Sequence, residues 1–383
     1  MKPLEGLKVL DFSTLLPGPY ATMMLADLGA EVLRVESPVR DDLVRSMAPQ
    51  IDGQSAAFRY MNRGKQSMTL DLKHPDAKTV VHRLLADYDI VIEQFRPGVM
   101  QRFGLDFESL QSVKPDLVYC SITGYGQTGE WAQRAGHDLN FLALSGVASH
   151  MGRRDQGPCP LGIQVADVAA GSHPAVVAIL AAVIQRDRTG KGSHIDISMA
   201  DNSFALQALL APGAINGLDS VGYESHFLNG GGFYDYYKTR DDRYMAVGSL
   251  EPQFRKRLLA TMGAEELMEA DDRSLKVALE DLFASRDMAD WADRFAKVDA
   301  CVEPVLTLEE AAEHPAFVSR ELIQQTANGE KQIVSALRFG DETLPLGTDA
   351  PLRGADTLKA LNHAGFSDDE IEQHRAAGVF GPQ

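Results

Sequence analysis

Along the first two hundred residues, short apolar runs of strand length alternate with longer stretches of helical periodicity. Residues 7–12, 31–35, 90–93, 117–122 and 193–198 read as strands, 20–28 and 77–86 as helices, and 165–186 as a long buried helix. Strand following helix following strand implies parallel strands joined by crossover helices. The pattern therefore predicts an α/β fold built on a Rossmann-like, doubly wound parallel sheet. Past Gly213 the character changes. A glycine cluster (Gly230, Gly231, Gly232) leads into an apolar run at 233–238, a polar turn at 240–243 and a second run at 244–248, which is the signature of a hairpin. Residues 251–297 are helix-rich and more charged. The predicted organisation is a large domain over 1–214, completed by the C-terminal stretch 326–383, and a smaller α+β domain over 215–325.

Composition narrows the function. With 383 residues, 44% of them hydrophobic and 24% charged, the chain has a globular composition and enough apolar material for substantial cores. The net charge of -17 argues against a nucleic-acid partner, and a polyanionic ligand would need a local basic pocket set against that field. Cys120, Cys159 and Cys301 lie far apart with no CxxC or Cys/His cluster, so neither a disulfide framework nor a metal site is expected. The N-terminus carries no signal-like apolar segment, and the apolar run at 174–184 is too short to span a bilayer. These features lead to the expectation of a cytoplasmic protein with no membrane partner.

Familiar nucleotide motifs are missing. Thr189-Gly190-Lys191-Gly192-Ser193 contains GKGS, but Gln185 stands where a Walker A loop needs its first glycine. No GxGxxG follows the first strand, and Leu16-Pro17-Gly18-Pro19 is stiff where a dinucleotide loop must be flexible, which argues against a nicotinamide dehydrogenase. What remains are ionisable residues at element ends: His137 in Gly136-His137-Asp138, Asp167 at the start of the long helix, and Glu251 before Pro252. Each has an ordinary structural explanation. A loop histidine is usually solvated, an aspartate at a helix start is usually a cap, and a glutamate before proline commonly opens a helix. Spacing alone does not make these three a site.

A wider set of segments does. GLKVLDFSTLLPGPYATMMLADLGAEVLRVESP, NRGKQSMTLDLKHP, DYDIVIEQFRPGVMQRFGLD, LVYCSITGYGQTG, DRTGKGSHIDISMAD and DACVEPVLTLEEA, in this order, resemble the class III CoA-transferase superfamily, the CaiB/BaiF proteins, over nearly the whole chain. AGHDLNFLALSG, NGGGFYDYYKTRDDRYMAVG and the Glu251-Pro252-Gln253-Phe254 segment look most like its α-methylacyl-CoA racemase branch. The resemblance implies an acyl-CoA thioester as substrate, no tightly bound cofactor, no metal, and an interlocked homodimer. In the transferase branch it implies that Asp167 is a nucleophile passing through an acyl anhydride and an aspartyl-CoA thioester. In the racemase branch it implies that Asp167 and His137 are an acid/base pair, with Glu251 supporting the histidine. One departure is an insertion over residues 39–60, transferase-like in length, with Ser37 where racemases commonly carry a basic residue.

Racemisation at the α-carbon of a thioester removes a proton from one face and returns one to the other. It needs two acid/base groups and a stabilised enolate. Histidine suits such work near neutral pH, and a partner carboxylate fixes its tautomer. Asp167 needs burial to become a useful base, and an activated carboxylate serves a nucleophilic mechanism equally, so His137 with Glu251 distinguishes the branches. If Asp167 opens a helix, its own N–H is expected near the thioester oxygen. For the phosphates of CoA the expected cations are Arg34, Lys73, Arg96 and Arg102, with Arg63 and Lys65 nearby in sequence. Met151, Phe227, Phe233 and Tyr234 are candidate acyl-pocket residues. Three functions remain open: a racemase, a CoA-transferase between a thioester and a free carboxylate, and a non-catalytic CoA-binding protein.

Overall fold

A computed structural model describes residues 2–340 and 342–381. The chain forms two compact units: 1–145 with 161–206 and 319–383, and 146–160 with 207–318.

The first unit is built on a six-stranded parallel sheet. Its strands are β1 (Lys8–Asp11), β2 (Glu31–Glu36), β3 (Lys65–Thr69), β4 (Ile90–Glu93), β5 (Val118–Thr123) and β6 (Ser193–Ser198), in the spatial order β6-β5-β4-β1-β2-β3. The apolar residues Val9, Leu10, Leu33, Ile90, Val91, Ile92, Val118 and Ile122 are all fully buried, which explains why these strands read as continuous apolar runs: helices cover both faces. The third strand escaped the pattern reading because its sequence, KQSMT, is mostly polar. Those polar groups are buried with partners. Ser67 Oγ donates to Glu36 at 2.6 Å, and Lys65 Nζ reaches Thr22 at 2.7 Å and Asn62 at 3.0 Å. The chain builds outward from β1 to β2 and β3, then restarts on the other side of β1 with β4. The reversal leaves a crevice at the carboxyl ends of β1 and β4, where ligands of open α/β sheets bind.

Helix α1 (Pro17–Asp27) begins three residues earlier than the periodicity suggests, because Pro17 at the first helical position is preset for helix and its missing N–H costs nothing there. Further helices are α2 (Ala56–Asn62), α3 (Ala77–Leu84), α4 (Val99–Phe103) and α5 (Asp138–Leu144). The long helix α6 spans Val165–Thr189. By length and composition it could cross a membrane, with a mean hydropathy of 1.7, yet it packs against β5 and β6 with Ala175, Val176, Ile179, Ala182 and Val183 buried. It ends at Gly190, whose left-handed backbone (φ 69°) closes the helix; the GKGS segment is a helix stop followed by a strand.

The C-terminal tail folds back onto this unit. Ser67 N donates to Asp356 at 2.9 Å, Asp71 N to the Val379 carbonyl at 2.8 Å, and Arg83 pairs with Glu370 at 2.6 Å. Leu361, Phe366, Ile371 and Val379 enter the same core as Leu10 and Leu33.

The second unit holds a three-stranded antiparallel sheet, β7 (Asp235–Lys238), β8 (Tyr244–Val247) and β9 (Val302–Pro304). The first two form the expected hairpin in the register Lys238↔Tyr244. Helices α7 (Pro252–Met262), α8 (Asp272–Ala284) and α9 (Met288–Phe295) surround a core in which Tyr237 stacks on Phe283 and Trp291 packs edge-on against it.

Candidate active site

Asp138 explains how two distant sequence motifs meet. Its Oδ1 accepts from the backbone N–H of Ala166 at 2.6 Å and of Asp167 at 3.1 Å, so the first turn of α6 is clamped to the start of α5. His137 is the residue just before α5, where its own N–H is fixed by Asn140 Oδ1 at 3.0 Å and its side chain is exposed. Burial raises the Asp167 pKa to about 6, and the neighbouring Asp138 charge pushes the same way while His137 pulls against them. A half-buried carboxylate and an exposed imidazole thus act on each other across one clamp. The N–H of Asp167 is committed to Asp138 and is not free for a thioester oxygen, contrary to the expectation from its place at a helix start.

Immediately after Asp167, α6 widens into a π turn over Val168–Ser172. Such a turn holds an extra residue and rotates the preceding side chain relative to the rest of the helix. It is fixed by Ser172 Oγ, which donates to the Pro17 carbonyl at 2.7 Å, and by Gly171, where an added Cβ would lie 3.3 Å from Pro17 and 3.1 Å from Met199. Asp167 is therefore tied through Ser172 to the start of α1, where the loop that leaves β1 ends.

That loop also walls a cavity of about 740 Å³ at the carboxyl ends of β1, β2 and β3, bounded by Phe12, Leu15, Val35, Leu70, Phe95 and Phe103. Lys73 and Arg102 line it, exposed, with no ion-pair partner among the described residues. Arg96 is exposed too and lines a neighbouring recess with Arg102 and Gln133. Arg34 behaves differently. Its side chain is fully buried, paired with Asp42, 2.6 Å from Asn62 Oδ1 and 3.6 Å from Glu36. It stiffens the cavity wall, with Nη1 and Nη2 committed to Asn62 and Asp42 and its buried Nε left without a hydrogen bond. Arg63 is likewise buried on Asp27 at 2.6 Å, and burial pushes Lys65 down to about 7 against the pull of Asp11. The cation that sequence reasoning missed is Arg40, which lines the cavity from the insertion. Only its place three residues after Ser37 pointed to it.

Glu251 lies in the second unit, where it precedes α7 with its side chain exposed and no side-chain cap bond. Its segment is held by Ser249 Oγ donating to the Ala300 carbonyl at 2.5 Å and by Gly248 N donating to the Cys301 carbonyl at 2.8 Å. Among the acyl-pocket candidates, Phe233 is core of that unit, whereas Phe227 and Tyr234 are exposed and Met151 half-buried. Among the described residues no group of His, Cys, Asp or Glu is placed to hold a metal ion.

Residues 4–357 match CoA-transferase family III. The chain belongs to that family. Its fold is similar to that of a CaiB/BaiF family protein from Brucella suis, with a TM-score of 0.84 at 30% identity, covering 95% of this chain and 99% of that one. In sequence this family III enzyme is 38% identical to alpha-methylacyl-CoA racemase of Homo sapiens over 382 residues, 97% of this chain and 95% of the relative. It is 33% identical to acetyl-CoA:oxalate CoA-transferase of Acetobacter aceti over 336 residues, 84% of this chain and 85% of the relative. The family acts on CoA thioesters, and a family III site with one activated carboxylate suits either transfer or proton abstraction.

Proposed function

We propose that the protein is an α-methylacyl-CoA racemase or close epimerase, moving a proton at the α-carbon of a 2-methylacyl-CoA. The observation that supports this reading is the Asp138 clamp, which holds the segment that carries His137 against the first turn of α6, where Asp167 has its pKa raised to about 6. Transfer through an aspartyl thioester needs the carboxylate alone; an acid/base exchange needs both groups. In the proposed reaction one of the pair takes the α-proton, the electrons pass into a thioester enolate, and the other group returns a proton to the opposite face. Glu251, with its exposed carboxylate, is kept in this reading as the carboxylate of the racemase-like Glu251-Pro252-Gln253-Phe254 segment. The cavity at the carboxyl ends of β1, β2 and β3 takes the CoA portion, with Lys73, Arg96 and Arg102 facing its phosphates.

The substrate is the only small-molecule partner in this reading, and the working form is an interlocked homodimer in the cytoplasm. Exposed apolar residues support a dimer: Val177 and Ile184 on α6 in the first unit, and Leu209, Ile215 and Leu218 in the second. The test is α-proton exchange in heavy water with a 2-methylacyl-CoA and no acceptor acid, read by mass spectrometry. Deuterium wash-in abolished by His137→Ala and by Asp167→Ala supports the racemase. Absence of exchange, with CoA passed to an added carboxylic acid and a thioester trapped on Asp167, establishes the transferase instead.

A further inference from the structure

The turn after β2 presents one free guanidinium to the cavity and fixes everything around it. Ser37 Oγ accepts from the N–H groups of Val39 at 3.3 Å and Arg40 at 3.2 Å, folding 37–40 into a tight turn. Pro38 is buried against the tail, so close that a Cβ on Gly381 would fall 2.1 Å from its own. Asp41 pairs with Arg353. Arg40 sits between these anchors with an exposed side chain, no partner among the described residues, and the cavity in front of it.

Three of the four carboxylates that line the cavity are already neutralised. Glu36 is paired with Arg45 at 2.6 Å, Asp42 with Arg34, and Asp41 with Arg353. Against the one remaining carboxylate, Asp71, whose Oδ1 accepts from Lys73 N at 3.0 Å, the cavity offers Arg40, Lys73 and Arg102, three cations with no ion-pair partner among the described residues, in a chain of net charge -17. The usual backbone site for a phosphate in such a fold, the first turn of α1, is closed. Pro17 and Pro19 have no N–H, Gly18 N donates to Gln94 Oε1 at 2.9 Å, and Tyr20 N donates to the Leu16 carbonyl at 2.9 Å. Side chains must carry the phosphate charge instead. In a doubly wound sheet the end of the second strand lies beside the ribose of a bound adenosine, and an arginine there accommodates a ribose phosphate.

We propose that Arg40 binds the ribose 3′-phosphate of coenzyme A and makes the site selective for CoA over 3′-dephospho-CoA. The assignment rests on the reading of this cavity as the CoA site. It does not depend on whether the reaction is racemisation or transfer.

Calorimetric titration of the full-length protein with free CoA and with 3′-dephospho-CoA tests it. Wild type should bind CoA more tightly by on the order of tenfold, the worth of one charge-assisted contact. Arg40→Ala should bind CoA as weakly as the dephospho form while its affinity for dephospho-CoA stays unchanged. Arg40→Lys should restore part of the difference, and Ser37→Ala should erode it by loosening the turn. An Arg40→Ala protein that still discriminates as wild type does overturns the proposal and moves the phosphate to Lys73 or Arg102. Equal binding of the two ligands by wild type, or binding of neither, also overturns it. Heavy-water exchange, run on the same preparations, separates this outcome from the fate of the racemase reading: selectivity without exchange keeps Arg40 and discards the racemase.

Discussion

Asp167 and Glu93 are both carboxylates that burial makes reluctant to ionise, one in the candidate site and the other in the sheet. In the proposed reaction Asp167 can act as a base only when charged, and its pKa is raised to about 6. Deuterium wash-in through Asp167 should therefore fall about tenfold per unit below pH 6, and a pH–rate profile checks it. Glu93 is buried at the end of β4, accepts from Phe95 N at 2.8 Å, and is raised by burial from 4.5 to about 7. The folded state thus holds its proton more tightly than the unfolded chain does. The stability this confers is whole below pH 4.5 and drains away as pH rises to about 7. Glu93→Gln should stabilise the protein at pH 8 by on the order of 2 kcal/mol and change little at pH 4, as urea unfolding would show. The cations divide the same way. Arg34→Met strands Asp42 in the interior, Glu36 keeping Arg45, and should cost about 3–5 kcal/mol, whereas Lys73→Met, at an exposed unpaired position, should leave the unfolding midpoint nearly unchanged.

At the scale of elements, two glycines act through what surrounds them. An added Cβ at Gly192 would lie 2.0 Å from the Leu117 carbonyl oxygen, a backbone atom that cannot step aside without breaking the β5–β6 edge. Gly192→Ala should cost about 3 kcal/mol, read as a loss in thermal midpoint. At Gly171 the neighbours are Pro17 and the flexible Met199 side chain, so Gly171→Val should disturb the π turn and slow exchange at Asp167 more than it lowers stability. Strand and helix identities were legible here because periodicity reports which face is buried. The hairpin and the strands at 90–93 and 193–198 followed from it directly. The π turn was not legible, since Val168–Ser172 has the apolar pattern of an ordinary helix and the widening is forced by packing on Pro17. Strand β3 was hidden for a related reason: its polar residues are buried only because Glu36, Thr22 and Asn62 meet them.

Across the whole molecule, exposed apolar residues carry the dimer prediction. Leu209 and Leu218 are 77% and 83% exposed. Sedimentation equilibrium should give twice the chain mass, and Val177→Glu with Ile184→Lys should weaken that assembly; a monomeric wild type would refute it. The sequence by itself determined the alternation of strands and helices, the parallel sheet, the family and the three residues expected to react, because hydrophobic period and motif order are local properties of the chain. Its residue pattern could not sort the cations, and only the family resemblance favoured Lys73, Arg96 and Arg102. Arg34, Arg63 and Lys65 look as available as Lys73, Arg96 and Arg102 when written in a line. Only the tertiary structure puts Asp42, Asp27 and Asp11 against the first three and leaves the others, with Arg40, facing open space. The same holds for Asp138, whose bonds to Ala166 and Asp167 join motifs 28 and 29 residues apart. Whether a charge is spent on a partner or kept for a ligand depends on what folding brings beside it, and that is decided by distance in space.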